Sequence, residues 1–266
     1  MMAALVHDIV LGFGYGGMGL LAGFLSGLLG IGGGVVLLPA VLFVLPLLGG
    51  NPLSPFFATE ISMIQVSFSS LVGILMHRPS AHVPLRRIIF WAGSALVGGA
   101  IGGILSYRFS GQSILGLFLA ETVIALMLLM IRPVERQHRN VSKKRRSEWL
   151  EYPVMAGIGF TSGILGVGGG FLFYPVLTLF FGYPSLVAVG SSLAVMFPMA
   201  AAASIMKFRA SGVLPPHTWE IVLGALAGSR FGARFTKQLG SGKIRFLQGV
   251  LLAVTIARVS WTLYKG

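Results

Sequence analysis

Long apolar stretches alternate with short polar segments along the whole chain. The first apolar stretch, residues 9–48, is far longer than the ~20 residues that a membrane-spanning helix needs. Asn51, Pro52 and Ser54 mark a turn after it. The later apolar stretches predict helices over residues 56–76, 88–107, 113–131, 152–181, 186–206, 218–236 and 246–264. This pattern is typical of an all-α integral membrane protein.

One apolar segment occurs twice. GFLSGLLGIGGGVVLLP, residues 23–39, returns as GFTSGILGVGGGFLFYP, residues 159–175, and more than half of the positions are identical. Further pairs of identical residues lie 130 residues apart, a spacing that we call the repeat offset. They are Ala58/Ala188, Ser62/Ser192, Gly98/Gly228 and Gly102/Gly232. Such self-similarity indicates an internal repeat. We therefore predict two homologous four-segment repeats, residues 1–131 and 152–266, joined by a basic linker, residues 132–151.

Each copy of the repeated segment places glycines inside an apolar run. We call residues 30–34 the first glycine break and residues 166–170 the second. Glycine costs about 1 kcal/mol relative to alanine in a helix interior, so both runs predict an interrupted helix. The glycines concerned are Gly30, Gly32, Gly33, Gly34, Gly166, Gly168, Gly169 and Gly170. Each break is either one span that is broken or a re-entrant hairpin that dips in and returns.

The composition restricts the chain to the membrane. Only 10% of the residues are charged, 55% are hydrophobic, and the mean hydropathy is +0.86. Soluble domains carry about 25% charged residues. We expect a multi-pass protein of the cell (inner) membrane. The net charge of +13 indicates contact with anionic lipid headgroups rather than nucleic acid, and the linker holds seven of the 20 Lys and Arg residues, which places it in the cytoplasm.

The polar residues argue against an enzyme. An intramembrane hydrolase needs a buried nucleophile with a base, or paired aspartates. The five histidines fall at predicted helix ends or in loops, and Asp8 is the sole aspartate. The chain has no cysteine and no metal-ligand spacing. No cofactor and no metal are expected.

The two halves each contain G-F-x-S-G-x-L-G-x-G-G-G followed by a proline, and this pattern resembles the sulfite exporter TauE/SafE family of membrane permeases. The segment AVGSSL, residues 188–193, is similar to the second-helix motif of that family. The first half departs from it, with Glu60 and Ile61 where the second half has Gly190 and Ser191. The resemblance implies a secondary transporter, an exporter of small sulfur-containing anions such as sulfite or organosulfonates. A passive anion channel is the alternative.

A broken helix suits an anion. Its second half begins with unpaired N–H groups, and these groups together with the helix dipole favour negative charge. Two breaks that meet near the membrane midplane are an arrangement found in secondary transporters. The alternative is that the glycines only allow a kink or a tight crossing. Hydroxyls near the breaks are candidate substrate donors, unless each bonds back to its own helical turn. They are Ser26, Thr59, Ser62, Ser162, Ser191 and Ser192.

Two carboxylates, Glu60 and Glu121, fall within predicted spans. Such groups are costly in a membrane and indicate coupling or an ion pair. For Glu121 we expect either proton transfer or pairing with an arginine, for which the candidates are Arg230, Arg234 and Arg258. Arg230 and Arg234 share one helix face, where they either guide anions or extend to lipid phosphates.

The orientation of the two repeats is not decided by charge. Inverted repeats would place 15 Lys and Arg on the cytoplasmic side, and parallel repeats would place 14 there. We favour inverted repeats, because inversion brings the two breaks in from opposite faces, as alternating access requires. The sequence does not define an oligomeric state.

Overall fold

The structure, a computed structural model, describes residues 2–50, 53–77, 83–131, 148–236 and 238–265. All regular elements within these ranges are helical. The α-helices are α1 (Met2–Leu29), α2 (Gly34–Pro39), α3 (Pro55–His77), α4 (Leu85–Leu105), α5 (Gly111–Met130), α6 (Glu148–Leu165), α7 (Gly170–Pro175), α8 (Ser185–Ser211), α9 (Thr218–Thr236) and α10 (Ser241–Lys265). Short π-helical turns, Ala40–Val44 and Val176–Phe180, extend α2 and α7.

Six of the described helical segments are long and apolar enough to cross a membrane. They are Leu11–Leu29, Pro55–His77, Leu85–Arg108, Gly111–Met130, Ser185–Ser211 and Ser241–Tyr264. The two segments that begin at the glycine breaks, Gly34–Leu47 and Gly170–Phe180, are apolar but shorter. The prediction of an all-α multi-pass membrane protein is confirmed.

Glycines let helices from opposite halves of the chain approach closely. A β-carbon at Gly98 or Gly102 of α4 would overlap the backbone of Ala156 or Phe160 on α6. The same arrangement joins α1 to α9, where Gly23 lies against Ala225 and Gly27 against Ser229. Residue numbers rise together along both partners, so each pair of helices runs parallel. Glycines four residues apart, as at Gly98 and Gly102, are the pattern that allows such close helix packing.

The equivalent helices α3 and α8 cross at the centre of the molecule. Thr59, near the start of α3, accepts a hydrogen bond from Lys207 near the end of α8. Gly73, near the end of α3, packs against Leu193 in the first half of α8. Residue numbers therefore rise along one helix as they fall along the other. The two helices are antiparallel.

The chain reverses direction at both glycine breaks. In the first half, Gly33 lies against the carbonyl of Ala22, eleven residues earlier, although a continuous helix would separate these residues by about 16 Å. Gly169 lies against Ile158, again eleven residues earlier. Each break therefore turns the chain back, so that α2 begins beside α1 and α7 begins beside α6.

Two of the predicted boundaries that differ from the structure involve buried charged residues. α8 does not end at residue 206 but continues to Ser211, where Gly212 ends it with a φ of 68°, the left-handed conformation common after a helix C-terminus. Lys207 therefore lies in a helix rather than in a loop. α6 begins at Glu148, inside the predicted linker, and Glu151 is buried within it. Linker residues 132–147 lie outside the described residues.

Glu151 anchors a polar network that joins α4 to α6. Arg87 donates two hydrogen bonds to its carboxylate, at 2.7 and 3.0 Å, and Trp91 Nε1 donates a third at 2.9 Å. In the alignment of the two repeats, Glu151 corresponds to Tyr15 and Arg87 corresponds to His217. The rings of Tyr15 and His217 stack, with their centroids 4.7 Å apart. Equivalent positions thus hold an ion pair in one place and an aromatic pair in the other.

The glycine packing of α4 gives a test of the fold. Gly102→Val is expected to lower the stability by about 1–3 kcal/mol, because the added methyl groups collide with the Phe160 carbonyl. Gly93→Val on the same helix is the control, since no atom lies within 4 Å of the β-carbon position there. Thermal unfolding in detergent measures both; equal losses would contradict the packing.

Candidate functional site

The two glycine breaks meet at the centre of the molecule. A β-carbon at Gly34 would lie 2.6 Å from the Cα of Val167, and one at Gly170 would lie 2.7 Å from the carbonyl oxygen of Gly30. Each break therefore contacts the other through its backbone. All residues of both breaks are buried.

One side chain from each crossing helix covers the point of contact. Val66, the middle residue of α3, packs on Gly168 and Gly32, and Met196 of α8 packs on Gly32 and Gly170. Val66 and Met196 are equivalent at the repeat offset. The centre of the contact thus lies level with the middle of the spanning helix α3.

Glycine is needed at the breaks for two separate reasons. Gly30, Gly32 and Gly33 have φ values of 69°, 89° and 72°, and Gly166, Gly168 and Gly169 have 73°, 81° and 66°. L-residues pay about 1–2 kcal/mol in this left-handed region. Every one of these six positions is also crowded, so a side chain would collide with the neighbouring helix. The two breaks have matching backbone conformations.

Side chains satisfy the carbonyl groups at the end of α1, before the first break. His77 Nε2 donates to Gly27 at 2.9 Å, Thr236 Oγ1 donates to Leu28 at 2.9 Å, and Gln248 Nε2 donates to Leu29 at 2.8 Å. At the second break, Lys207 Nζ donates to the carbonyl of Ile164 at 3.1 Å. Ser192 Oγ donates to the carbonyl of Gly30 at 2.9 Å.

The amide groups after each break are not satisfied in this way. The hydrogen-bond ladder of α2 starts with Val36 and Leu37, which both donate to the carbonyl of Gly33. That of α7 starts with Leu172 and Phe173, which donate to Gly169. The N–H groups of residues 31–35 and 167–171 make no hydrogen bond to the described residues. The site therefore holds a surplus of buried donors over acceptors.

Three of the predicted hydroxyls are buried and have no hydrogen-bond partner among the described residues. They belong to Ser62, Ser162 and Ser191. Ser62 Oγ lies 2.8 Å from the β-carbon position of Gly34, and Ser162 packs against Gly169. The structure therefore brings one unpaired hydroxyl to each break. No described contact joins Ser191 to either break.

The other three hydroxyls have partners. Thr59 donates to the carbonyl of Phe56 in its own turn at 2.7 Å, as the alternative interpretation expects. Ser26 lies 3.2 Å from Ser69. Ser192 hydrogen-bonds both to Val189 in its own helix and, across the halves, to the first break.

Gln65 is a site residue that the sequence analysis missed. Its side-chain nitrogen donates to Ser69 at 3.1 Å and lies 2.9 Å from the β-carbon position of Gly33. Its Oε1 atom is buried without a partner among the described residues. The glutamine side chain in the middle of a membrane-spanning helix was the signal that could have identified it.

Lys207 is the second missed residue, because we predicted it in a loop. Its side chain is fully buried, and Nζ donates to Thr59 Oγ1 at 3.0 Å as well as to the carbonyl of Ile164. Glu60, also fully buried, accepts a hydrogen bond from Ser211 at 3.1 Å. The helix-ending Gly212 was the sequence signal that would have placed Lys207 inside α8.

Glu121 has a threonine as its hydrogen-bond partner, whereas an arginine was one of the two alternatives that the sequence left open for it. Its carboxylate accepts a hydrogen bond from Thr161 of α6, and within the described ranges no arginine forms an ion pair with it. Arg230 and Arg234 are exposed on α9, away from the breaks. Arg258 stacks over the ring of Phe43 at 5.4 Å.

Comparison with known proteins decides the family. The sequence profile of the sulfite exporter TauE/SafE family matches residues 15–259, nearly the whole chain. The protein belongs to the TauE/SafE family. It is 27% identical over 252 residues to "Probable membrane transporter protein YunE" of Bacillus subtilis, with 88% of this chain and 92% of that protein covered.

Other relatives of this TauE/SafE chain come from other organisms. A "Probable membrane transporter protein" of Xylella fastidiosa is 26% identical over 262 residues, covering 98% of this chain and 97% of its own length. One from Methanocaldococcus jannaschii is 24% identical over 249 residues, covering 89% and 91%. No solved structure matches the chain. The protein is thus a membrane transporter of this family.

A matched pair of glycine substitutions tests the packing of this TauE/SafE site. Gly168→Ala and Gly182→Ala both place alanine at positive φ, 81° and 72°, but only Gly168 is crowded, by Val66. We expect Gly168→Ala to lower the thermal unfolding midpoint clearly more than Gly182→Ala does. Adding Val66→Ala is expected to recover part of the loss. Equal losses in the two single variants would contradict the close contact at the second break.

Proposed function

We propose that the protein is a secondary transporter that exports small sulfur-containing anions, such as sulfite or organosulfonates. The anion binds between the two glycine breaks, near the membrane midplane. The observation that carries this proposal is the surplus of buried donors. The carbonyl ends before the breaks are satisfied by His77, Thr236, Gln248 and Lys207, whereas the amides after them are not.

The chemistry of the donors fits an oxyanion. Sulfite and sulfonates present three oxygens that only accept hydrogen bonds, and they need donors from several directions. The amides of residues 31–35 and 167–171 and the hydroxyls of Ser62 and Ser162 supply neutral donors. In a low-dielectric site such donors interact strongly with a charge, and glycine lets the ligand approach the backbone. The TauE/SafE family description names sulfite, which supports this substrate class.

The burial of both breaks favours a carrier over the alternative, a passive channel. An open channel presents a continuous wet path, whereas here each break is buried and covered by Val66 and Met196. In a carrier, the halves move so that the site faces one side of the membrane at a time. Proton coupling through a buried carboxylate, Glu60 or Glu121, is part of the proposal.

We further propose that the repeats, residues 1–131 and 152–266, are inverted in the membrane. The antiparallel crossing of the equivalent helices α3 and α8 supports inversion, because helices of parallel repeats would run in the same direction. The re-entrant hairpins then enter from opposite faces. The basic linker, residues 132–151, lies in the cytoplasm, close to anionic lipid headgroups.

Single cysteines test the inversion directly, since the chain contains none of its own. Ser110 and Gly240 are exposed, occupy loops that are equivalent at the repeat offset, and precede α5 and α10. We expect a membrane-impermeant thiol reagent to label Ser110→Cys and Gly240→Cys from opposite sides of the membrane. Labelling of both from the same side would contradict inverted repeats.

Flux in proteoliposomes tests the function. Purified protein is expected to give saturable sulfite transport, with competition measured against thiosulfate, sulfate, sulfoacetate and taurine. Ser62→Ala and Ser162→Ala each remove one donor to a charged ligand, a loss of about 1.5–3 kcal/mol, or roughly 10–100-fold in apparent affinity. Ser70→Ala is the control on α3, because its hydroxyl bonds to Val66 and Ser67 of its own helix.

Three outcomes would contradict the proposal. Flux that does not saturate and reaches single-channel rates would identify a channel. Absence of transport for every anion in the panel would overturn the substrate class. Unchanged affinity in the combined Ser62→Ala and Ser162→Ala variant, with saturable flux retained, would place the anion elsewhere.

A further inference from the structure

The crossing of α3 and α8 carries charge at one end only. At the repeat offset, Glu60 of α3 is equivalent to Gly190 of α8, and His77 of α3 is equivalent to Lys207 of α8. Because the helices are antiparallel, Glu60 and Lys207 lie together at one end. Gly190 and His77 lie together at the other, where the β-carbon position of Gly190 is 3.6 Å from His77 Cβ.

Lys207, like His77, also donates a hydrogen bond to a carbonyl at the end of a helix. His77 donates to Gly27 at the end of α1, and Lys207 donates to Ile164 at the equivalent end of α6. A neutral imidazole can serve the first contact, so capping a helix end does not require a full charge. The ammonium group of Lys207 therefore needs an explanation beyond capping.

Glu60 and Lys207 interact electrostatically but leave hydrogen-bonding capacity unused. Glu60 Oε1 accepts from Ser211, while Oε2 is buried without a partner among the described residues. Lys207 Nζ donates to Thr59 and Ile164 and lies 5.4 Å from the centre of the Phe56 ring. Burying opposite charges without direct contact is expensive. The arrangement leaves one carboxylate oxygen free for a proton.

The pair is adjacent to the substrate site. The backbone and side chain of Thr59, which binds Lys207, pack directly on Gly166, the first residue of the second break. Lys207 and ionised Glu60 together are neutral, so an anion that enters the breaks brings an uncompensated negative charge into the membrane interior. Protonation of Glu60 would leave the charge of Lys207 to balance that anion.

We propose that Glu60 and Lys207 form the proton site of the transporter, at which Glu60 binds one proton when the anion binds. The inference rests on the proposed function and specifies its coupling. The proton adds to the Glu60 carboxylate and converts it to the neutral acid, while Lys207 stays an ammonium ion. Anion and proton cross together as symport, and export proceeds when the outward anion gradient exceeds the opposing proton gradient.

A route from water reaches this site at the end of α8. Ser211 is half-buried and donates to Glu60, and the residues that follow it, Gly212 and Val213, are exposed. The amide of Val213 lies 3.4 Å from Ser211 Oγ. Proton exchange therefore takes place through Ser211, on the membrane face where α8 ends.

Other titratable groups on the neighbouring helices are engaged elsewhere. Lys207 is the charged side chain whose field acts on Glu60 among the described residues. Among the side chains that the structure describes, the other charged groups and histidines on helices that contact α3, or on α3 itself, are His77 at its far end, Glu121 with Thr161, Glu151 with Arg87, Glu220 with His217, and exposed Arg209, Arg230 and Arg234.

The test is to count the protons that the protein takes up when the anion binds. Isothermal titration of the purified protein with sulfite, in buffers of different ionisation enthalpy, gives the number of protons taken up per anion. Sulfite's own protonation contributes equally to every variant. We expect Glu60→Gln to take up one proton fewer than wild type, whereas Glu60→Asp, which keeps a carboxylate, retains the wild-type number.

Glu121→Gln is the matched control, because Glu121 is also a buried carboxylate with one unpartnered oxygen among the described residues. It is expected to keep the wild-type count. The double variant Glu60→Gln/Lys207→Gln removes both charges together; it is expected to show the same missing proton and keeps the test valid if Glu60→Gln alone does not fold.

Two failures are distinguishable. Wild-type sulfite binding with the same proton count in Glu60→Gln, or loss of the proton in Glu121→Gln instead, overturns this inference and leaves the proposed function intact. Absence of saturable sulfite binding to the wild-type protein overturns the proposed function, and this inference with it.

Discussion

A backbone N–H group without an acceptor costs several kcal/mol in a hydrocarbon environment, and this chain places two groups of such amides face to face. The glycine breaks make this arrangement sterically feasible. Residues at positive φ turn the chain back on itself, and the absence of side chains lets Gly34 and Gly170 contact the opposite break. Polar side chains from α3, α8, α9 and α10 satisfy the carbonyl ends. This unequal treatment of donors and acceptors is the basis on which we propose that the centre binds an anion.

The two halves of the chain are interleaved. α1 packs on α9 and α4 on α6, so the helix that leads into each break is held by a helix of the other half. Ser192 of the second half binds Gly30 of the first break, and Thr59 of the first half packs on Gly166 of the second. Each break therefore contacts the opposite half of the chain directly.

The backbone repeats closely, but the polar residues do not. Arg87 and Glu151 form an ion pair where the equivalent positions hold His217 and Tyr15. The charged end of the α3 and α8 crossing has a counterpart with Gly190 and His77. The two repeats therefore share a backbone conformation but differ in the charged groups at equivalent positions.

The sequence predicted the helices and their breaks better than it predicted which side chains contact each other. The breaks were predictable because three glycines in an apolar run oppose a helix, and the repeat doubled that signal. Lys207 was misplaced because a lysine after an apolar run is typical of a loop, whereas tertiary contacts with Thr59 and Ile164 hold it inside α8. The hydrogen-bond partner of Glu121 could not be predicted from the sequence either. Thr161 is brought to it by the packing of α6, which no local pattern encodes.

The central claim is that the amides of the breaks bind the anion, and glycine amide resonances report on them directly. In protein labelled with ¹⁵N-glycine, titration with sulfite is predicted to shift the signals of Gly32, Gly33 and Gly34 and of Gly168, Gly169 and Gly170 in a saturable manner. The signal of Gly182, which also has a positive φ but open surroundings, is predicted to stay unchanged. Saturable binding that leaves all six break signals in place would contradict the account.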